Sequence, residues 1–128
     1  MISRKFRILH TDDDKFILGL YKKVFEKEGF EVVCLSKLSD DFIAEIVTIK
    51  PDLIISDILK PEIDGLHFLK AIKADDRTKN IPFIFLSNQG DRVEIDEAMK
   101  LGALKFFVKS DISSLGEVAE EIKKLFNL

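Results

Sequence analysis

The chain alternates five times between a short apolar run and a longer amphipathic stretch. This rhythm restricts the fold more than any single residue, because strands that alternate with helical patterns build βα units and a parallel sheet. Lys5-Phe-Arg-Ile-Leu-His-Thr11 reads as the first strand. Phe16, Ile17, Leu20, Val24 and Phe25 then recur at helical spacing, and Gly29 supplies the stop. Glu31 to Leu35 predicts the second strand, and Ser39 or Asp40 can cap a second helix that buries Ile43, Ile46 and Val47. Leu53 to Ser56 is the third strand, followed after Gly65 by a helix marked by Leu66, Leu69 and Ile72. A polar connector, Asp75 to Asn80, leads to the fourth strand at Phe83 to Leu86. Asp91 with Glu94 resembles a capping box ahead of Ile95, Ala98 and Met99, the expected inner face of the fourth helix, which Gly102 ends. Leu104 to Val108 predicts the fifth strand. Ser114 with Glu117 opens a last helix that buries Leu115, Val118, Ile122, Leu125 and Phe126.

Right-handed crossovers turn such units into an open doubly wound sheet or a closed barrel. A barrel needs eight units and roughly 250 residues. With 128 residues, the open five-stranded parallel α/β sheet is expected, as one domain over 1–128 with no output domain visible. Hydrophobic residues make up 46%, enough for a core, yet no apolar run approaches a membrane span and the N-terminus does not read as a signal peptide. Cys34 is the only cysteine and lies in an apolar run, so it reads as a core thiol in a reducing, cytoplasmic setting. The net charge of −3 argues against direct nucleic-acid binding. The 11 phenylalanines do not alternate with Arg and Lys, so they read as core and interface and not as base-stacking platforms.

The strand ends carry the chemistry. Strand one ends in Asp12-Asp13-Asp14, strand three in Asp57, strand four in Ser87, and strand five runs into Lys109. In a parallel sheet these ends share one edge, where open α/β sheets bind ligands. Carboxylates gathered at Asp12, Asp13 and Asp57 repel one another, which raises their pKa values, and a hard divalent cation removes the conflict. Mg²⁺ suits such a set of oxygen ligands. The Ser87 hydroxyl and the Lys109 ammonium suit phosphoryl oxygens, and Asp57 can act as a nucleophile that forms an aspartyl phosphate. Among the neighbours, Asp14 reads as a helix cap, Asp64 as a turn and cap residue, His10 as a packed strand histidine and His67 as a surface residue.

From Phe6 to about Phe126 the chain resembles the receiver domain of two-component response regulators. The acidic pair matches Asp12 and Asp13, the phosphoacceptor Asp57, and the Pro and Asp-Gly that follow it Pro61 and Asp64-Gly65. Ser87, Gly102-Ala103, Phe106 and Lys109 match the remaining motif positions. The resemblance implies strand order 2-1-3-4-5, direct Mg²⁺ ligation by Asp13 and Asp57, ligation by Asp12 mainly through water, and a further ligand from the Leu59 carbonyl. It implies a phosphohistidine donor, either a histidine kinase or a histidine phosphotransfer protein. It also implies a Ser87–Phe106 switch read by an output partner at the face of helix four, strand five and helix five. The chain departs from the family at Ser110, where proline usually follows the lysine, and at Asn88 and Gln89 after Ser87. Ser110 and Asn88 support an alternative, a protein-binding module of the same fold with impaired switching. A third reading, a phosphohydrolase of the haloacid dehalogenase class, calls for an acid two residues after the nucleophile, where this chain has Leu59.

Overall fold

The computed structural model describes residues 4–58, 64–88, 91–109 and 114–128. Strands β1 (Arg7–Thr11), β2 (Glu31–Leu35), β3 (Leu53–Ser56), β4 (Phe83–Ser87) and β5 (Lys105–Val108) alternate with five helices. These are α1 (Lys15–Lys27), α2 (Phe42–Ile49), α3 (Gly65–Ala74), α4 (Arg92–Lys100) and α5 (Leu115–Phe126). All strands pair in parallel, in the order β2-β1-β3-β4-β5. The chain leaves β1 toward one edge and returns to the other side for β3, so the order reverses between these two strands. That reversal opens the crevice in which doubly wound sheets place their ligands.

Side chains alternate across each strand, so the sheet feeds two cores. Ile8, Leu53, Ile55, Ile84 and Leu86 meet Tyr21 and Phe25 of α1 and Val118 and Ile122 of α5. Leu9, Ile54, Phe83 and Phe85 meet Ile46 of α2, Phe68 and Ile72 of α3 and Ala98 of α4. On this second face five rings follow one another from Phe42 through Phe68, Phe83 and Phe85 to Phe106, with centroid separations of 5.0–5.4 Å.

The helix stops expected at Gly29 and Gly102 follow from backbone geometry. Both residues have positive φ, 97° and 108°. Each closes its helix with paired backbone bonds, Phe30 N–H to Phe25 O with Gly29 N–H to Glu26 O, and Ala103 N–H to Ala98 O with Gly102 N–H to Met99 O.

Several helix faces differ from expectation. Phe16 is 71% exposed. The buried stripe of α1 runs through Leu18, Tyr21 and Phe25, and Phe16 lies about 200° around the helix from Leu18. Met99 is 44% exposed because Ala98 takes the inward position beside it, and Leu125 also faces outward while Val118, Ala119 and Ile122 are buried. The N-cap of α2 is Asp41, one or two residues later than expected, and Ser39 instead donates from Oγ to Glu45 Oε1 at 3.4 Å. Asp91 caps α4 as expected, accepting the Glu94 N–H at 2.8 Å, whereas Ser114 occupies the N-cap of α5 without a side-chain capping bond.

Candidate functional site

The loops after β1 and β3 bring the acidic residues together at the carboxyl edge of these two strands. The Asp57 N–H donates to Thr11 O at 3.1 Å, extending the β1–β3 pairing by one residue, and the Asp12 N–H donates to Leu35 O on the other side. Asp12, Asp13 and Asp57 each offer a carboxylate oxygen, and these oxygens lie within 4.8 Å of one another. Asp12 is 2% exposed, Asp57 half-buried and Asp13 exposed. Asp14 takes no part in that group. Its Oδ1 accepts the N–H groups of Phe16 and Ile17 at 2.9 and 3.2 Å, capping α1 as expected.

Hydrogen bonds fix the orientation of the carboxylates. The Asp14 N–H donates to Asp12 Oδ1 at 2.9 Å, and the Ile58 N–H donates to Asp57 Oδ1 at 2.8 Å. Lys109, just past β5, reaches across the crevice and places Nζ 3.3 Å from Asp12 Oδ2. The Asp12 carboxyl lies above the usual carboxylate range chiefly because it is buried, and the neighbouring Asp57 charge adds to this. The Asp14 N–H and the Lys109 ammonium act in the opposite sense. Repulsion within the cluster is therefore secondary to desolvation at Asp12.

Ser87 closes β4 and is buried, in register with Val108 of β5. Phe106 is paired with Phe85 in the β4–β5 register, and its ring lies 5.4 Å from that of Phe85. Asp64 is the N-cap of α3, accepting the His67 N–H at 2.9 Å, and its Oδ2 lies 2.6 Å from His67 Nδ1 on the surface. Although partial burial opposes ionisation of Asp64, the His67 contacts bring its carboxyl below the usual range. His10 is buried against Tyr21 and Phe25, a packed strand histidine as expected. Leu59, Pro61, Gln89 and Ser110 lie outside the described residues.

Two features were not legible in the sequence. The strand ends bring Lys109 to the acidic edge, but its ion pair with Asp12, 97 residues away in the chain, is written in no local pattern. The close seat of Gly65 against Asp57 and Phe85 is the other, since Gly65 reads in sequence as a turn residue.

The donor set fits Mg²⁺. The cluster offers only hard oxygen atoms from three carboxylates, and the single ammonium of Lys109 beside Asp12 leaves room for a further cation among them. Among the described residues, no helix is long and apolar enough to cross a membrane.

The comparisons with known proteins agree with this geometry. The profile of the response regulator receiver domain matches residues 8–120. The chain is 35% identical over 121 residues to the chemotaxis protein CheY of Bacillus subtilis, covering 94% of this chain and 98% of that protein. It is also 35% identical to a protein-glutamate methylesterase/protein-glutamine glutaminase of Archaeoglobus fulgidus, where the match covers 91% of this chain but 34% of the relative. A putative response regulator from Chloroflexus aurantiacus superposes with a TM-score of 0.84 at 25% identity, covering 98% of this chain and all of that one. The CheY chain of a CheX-CheY-BeF3-Mg+2 complex from Borrelia burgdorferi shares the fold, with a TM-score of 0.82 at 24% identity over 94% of this chain and 89% of that one. With its β2-β1-β3-β4-β5 sheet and the acidic cluster at the β1–β3 crevice, the chain belongs to the response regulator receiver domain family.

Proposed function

We propose that this receiver domain is a phosphorylation-activated switch in which Asp57 accepts a phosphoryl group from a phosphohistidine of a histidine kinase or histidine phosphotransfer protein. The observation that supports this most is the meeting of Asp12, Asp13 and Asp57 within 4.8 Å, with Lys109 at 3.3 Å from Asp12. Asp12, Asp13 and Asp57 would hold Mg²⁺, with the Leu59 carbonyl as the further ligand. When bound, the ion neutralises charge on the cluster and on the transferring group.

The chain's own residues then divide the work. An Asp57 oxygen forms the new bond to phosphorus as the phosphorus–nitrogen bond of the donor breaks, and the electron pair leaves with the imidazole. The Ile58 N–H bond to Oδ1 fixes the carboxylate for that attack. Lys109 turns from Asp12 to a phosphoryl oxygen and stabilises its charge. Ser87 donates its hydroxyl to another. The product carries roughly −1.5 to −2 charge at a crevice that was already acidic, and this change biases β4, α4 and Phe106 toward a second arrangement. The α4, β5 and α5 face is the surface on which an output partner would read it.

The domain acts in the cytoplasm as a signalling acceptor, and residues 1–128 make up one receiver unit. It has no substrate of its own to turn over, and its phosphoryl chemistry is confined to transfer onto Asp57 and loss from it. The structural neighbour from Borrelia burgdorferi was solved with BeF3 and Mg+2, and the carboxylate oxygens of this chain suit Mg²⁺. Incubation with phosphoramidate and Mg²⁺, followed by intact mass, tests the reading. One phosphoryl group is expected on the native chain and none with EDTA or in Asp57→Asn. Uptake unchanged by both treatments excludes it. In the alternative, a binding module with impaired switching, uptake at Asp57 would leave the conformation of β4 and α4 unchanged.

A further inference from the structure

Gly65 is the first residue of α3, and its N–H donates to Ile58 O at 2.7 Å. A Cβ placed on it would fall 2.5 Å from Asp57 O, 2.7 Å from Ile58 Cα and 2.8 Å from Phe85 Cε1. Two of these three atoms are backbone, so no rotamer change could make room. The bare Cα of Gly65 is therefore wedged between the Asp57–Ile58 backbone and the edge of the Phe85 ring.

Phe85 is fully buried and packs against two other rings, Phe83 at 5.0 Å along its own strand and Phe106 at 5.4 Å on the paired strand β5. The Phe83 side is closed, because Phe83 packs on Phe68 and Phe68 on Phe42, each at 5.4 Å. The Phe106 side is half-open, since that ring is only partly buried. Packed interiors have low compressibility and pass a displacement to whichever neighbour can yield. Here that neighbour is Phe106.

We infer that Phe85, pressed by Gly65, is a positioning residue that links the backbone of Asp57 to the ring of Phe106. Through this contact, occupancy of Asp57 reaches Phe106 by a side-chain route separate from the Ser87 hydroxyl. The inference rests on the proposed roles of Asp57 and Phe106. A shift of the Asp57–Ile58 segment moves Gly65 against Phe85, and of the two rings beside Phe85, Phe106 is the one that is only partly buried.

Fluorine NMR of protein carrying fluorophenylalanine at all 11 phenylalanines tests this contact. The Phe106 signal is assigned by its loss in Phe106→Leu. Native protein, Phe85→Met and Phe85→Leu are each compared before and after phosphoramidate with Mg²⁺, at phosphorylated fractions matched by intact mass. Phe85→Met replaces the ring with an unbranched side chain that adapts to irregular space, so it decides the outcome should Phe85→Leu fail to fold. The Phe106 shift on phosphorylation is expected to shrink by about threefold or more in the Phe85 variants. A merely structural role for Phe85 would lower the melting temperature and leave that shift intact. A full-sized shift in both folded variants overturns the inference and leaves the Phe106 switch standing. Absence of any Phe106 shift in fully phosphorylated native protein overturns both.

Discussion

The Lys109 ammonium lies 3.3 Å from the Asp12 carboxylate, joining the ends of β5 and β1 across the crevice that holds Asp57. The same carboxylate is wanted by two cations, since it is both the partner of Lys109 and a member of the cluster that fits Mg²⁺. Lys109→Ala removes one competitor. Mg²⁺ then binds the variant at least as tightly as the native chain by titration calorimetry. Phosphoryl uptake slows by about 100-fold, as expected when a preorganised charge-stabilising donor is lost. Weaker Mg²⁺ binding in the variant would show that Lys109 supports the cluster and does not compete for it.

Stability should depend on pH through Asp12. Its carboxyl is raised in the folded protein, chiefly by burial. A raised acid contributes stability that is complete below the unfolded carboxylate value of about 4 and is lost as pH rises through the folded value. Without metal, melting curves should therefore show this contribution falling away as pH climbs from about 4 toward neutrality. Mg²⁺ should restore it, with a gain in Tm that is largest near neutral pH and absent near pH 4. Asp12→Asn should abolish both the pH-dependent loss and most of the gain.

Gly65→Ala should destabilise the fold despite being among the smallest substitutions. Its Cβ would enter the space of Asp57 O and Ile58 Cα, and overpacking of this kind costs about 1–3 kcal/mol. Urea denaturation measures the loss. A change below about 0.5 kcal/mol, the scale of an ordinary surface substitution, would mean that the Asp57 loop gives way freely.

The two faces of α1 should respond oppositely. Phe16→Ser removes a ring that is 71% exposed, and stability should change by no more than about 0.5 kcal/mol. Phe25→Ala removes a fully buried ring from the core shared with α5 and should cost about 3–5 kcal/mol. Equal losses would contradict the placement of the helix.

Caps separate in the same way. Asp91 accepts the Glu94 N–H at 2.8 Å, whereas Ser114 makes no capping bond. Asp91→Ala should cost about 1 kcal/mol and Ser114→Ala a small fraction of that.

These contrasts show where the sequence speaks and where it falls silent. β2 and β3 were legible to the residue, because short apolar runs bounded by turn residues have few alternatives. The strand ends at Asp12, Asp57, Ser87 and Lys109 were legible for the same reason. Helix faces were less so. Phe16 and Phe25 are the same residue type, and only packing decides that Tyr21, with its polar tip, goes inward while Phe16 stays out. Clustered charge predicts the upward direction of the Asp12 shift, while its larger cause, burial, is not displayed by a sequence. The contact of Gly65 with Phe85 depends on how α3 seats against the sheet, which no local pattern encodes.

The central proposal, that Asp57 is the acceptor, is tested most directly by trapping the product. Borohydride reduces an aspartyl phosphate to homoserine. After phosphoramidate and Mg²⁺, peptide mass should show homoserine at position 57, with Asp12 and Asp13 intact and Ser87 unmodified. Homoserine at position 12 or 13, phosphate retained on Ser87, or no conversion at position 57 in a chain that has gained a phosphoryl group would contradict it.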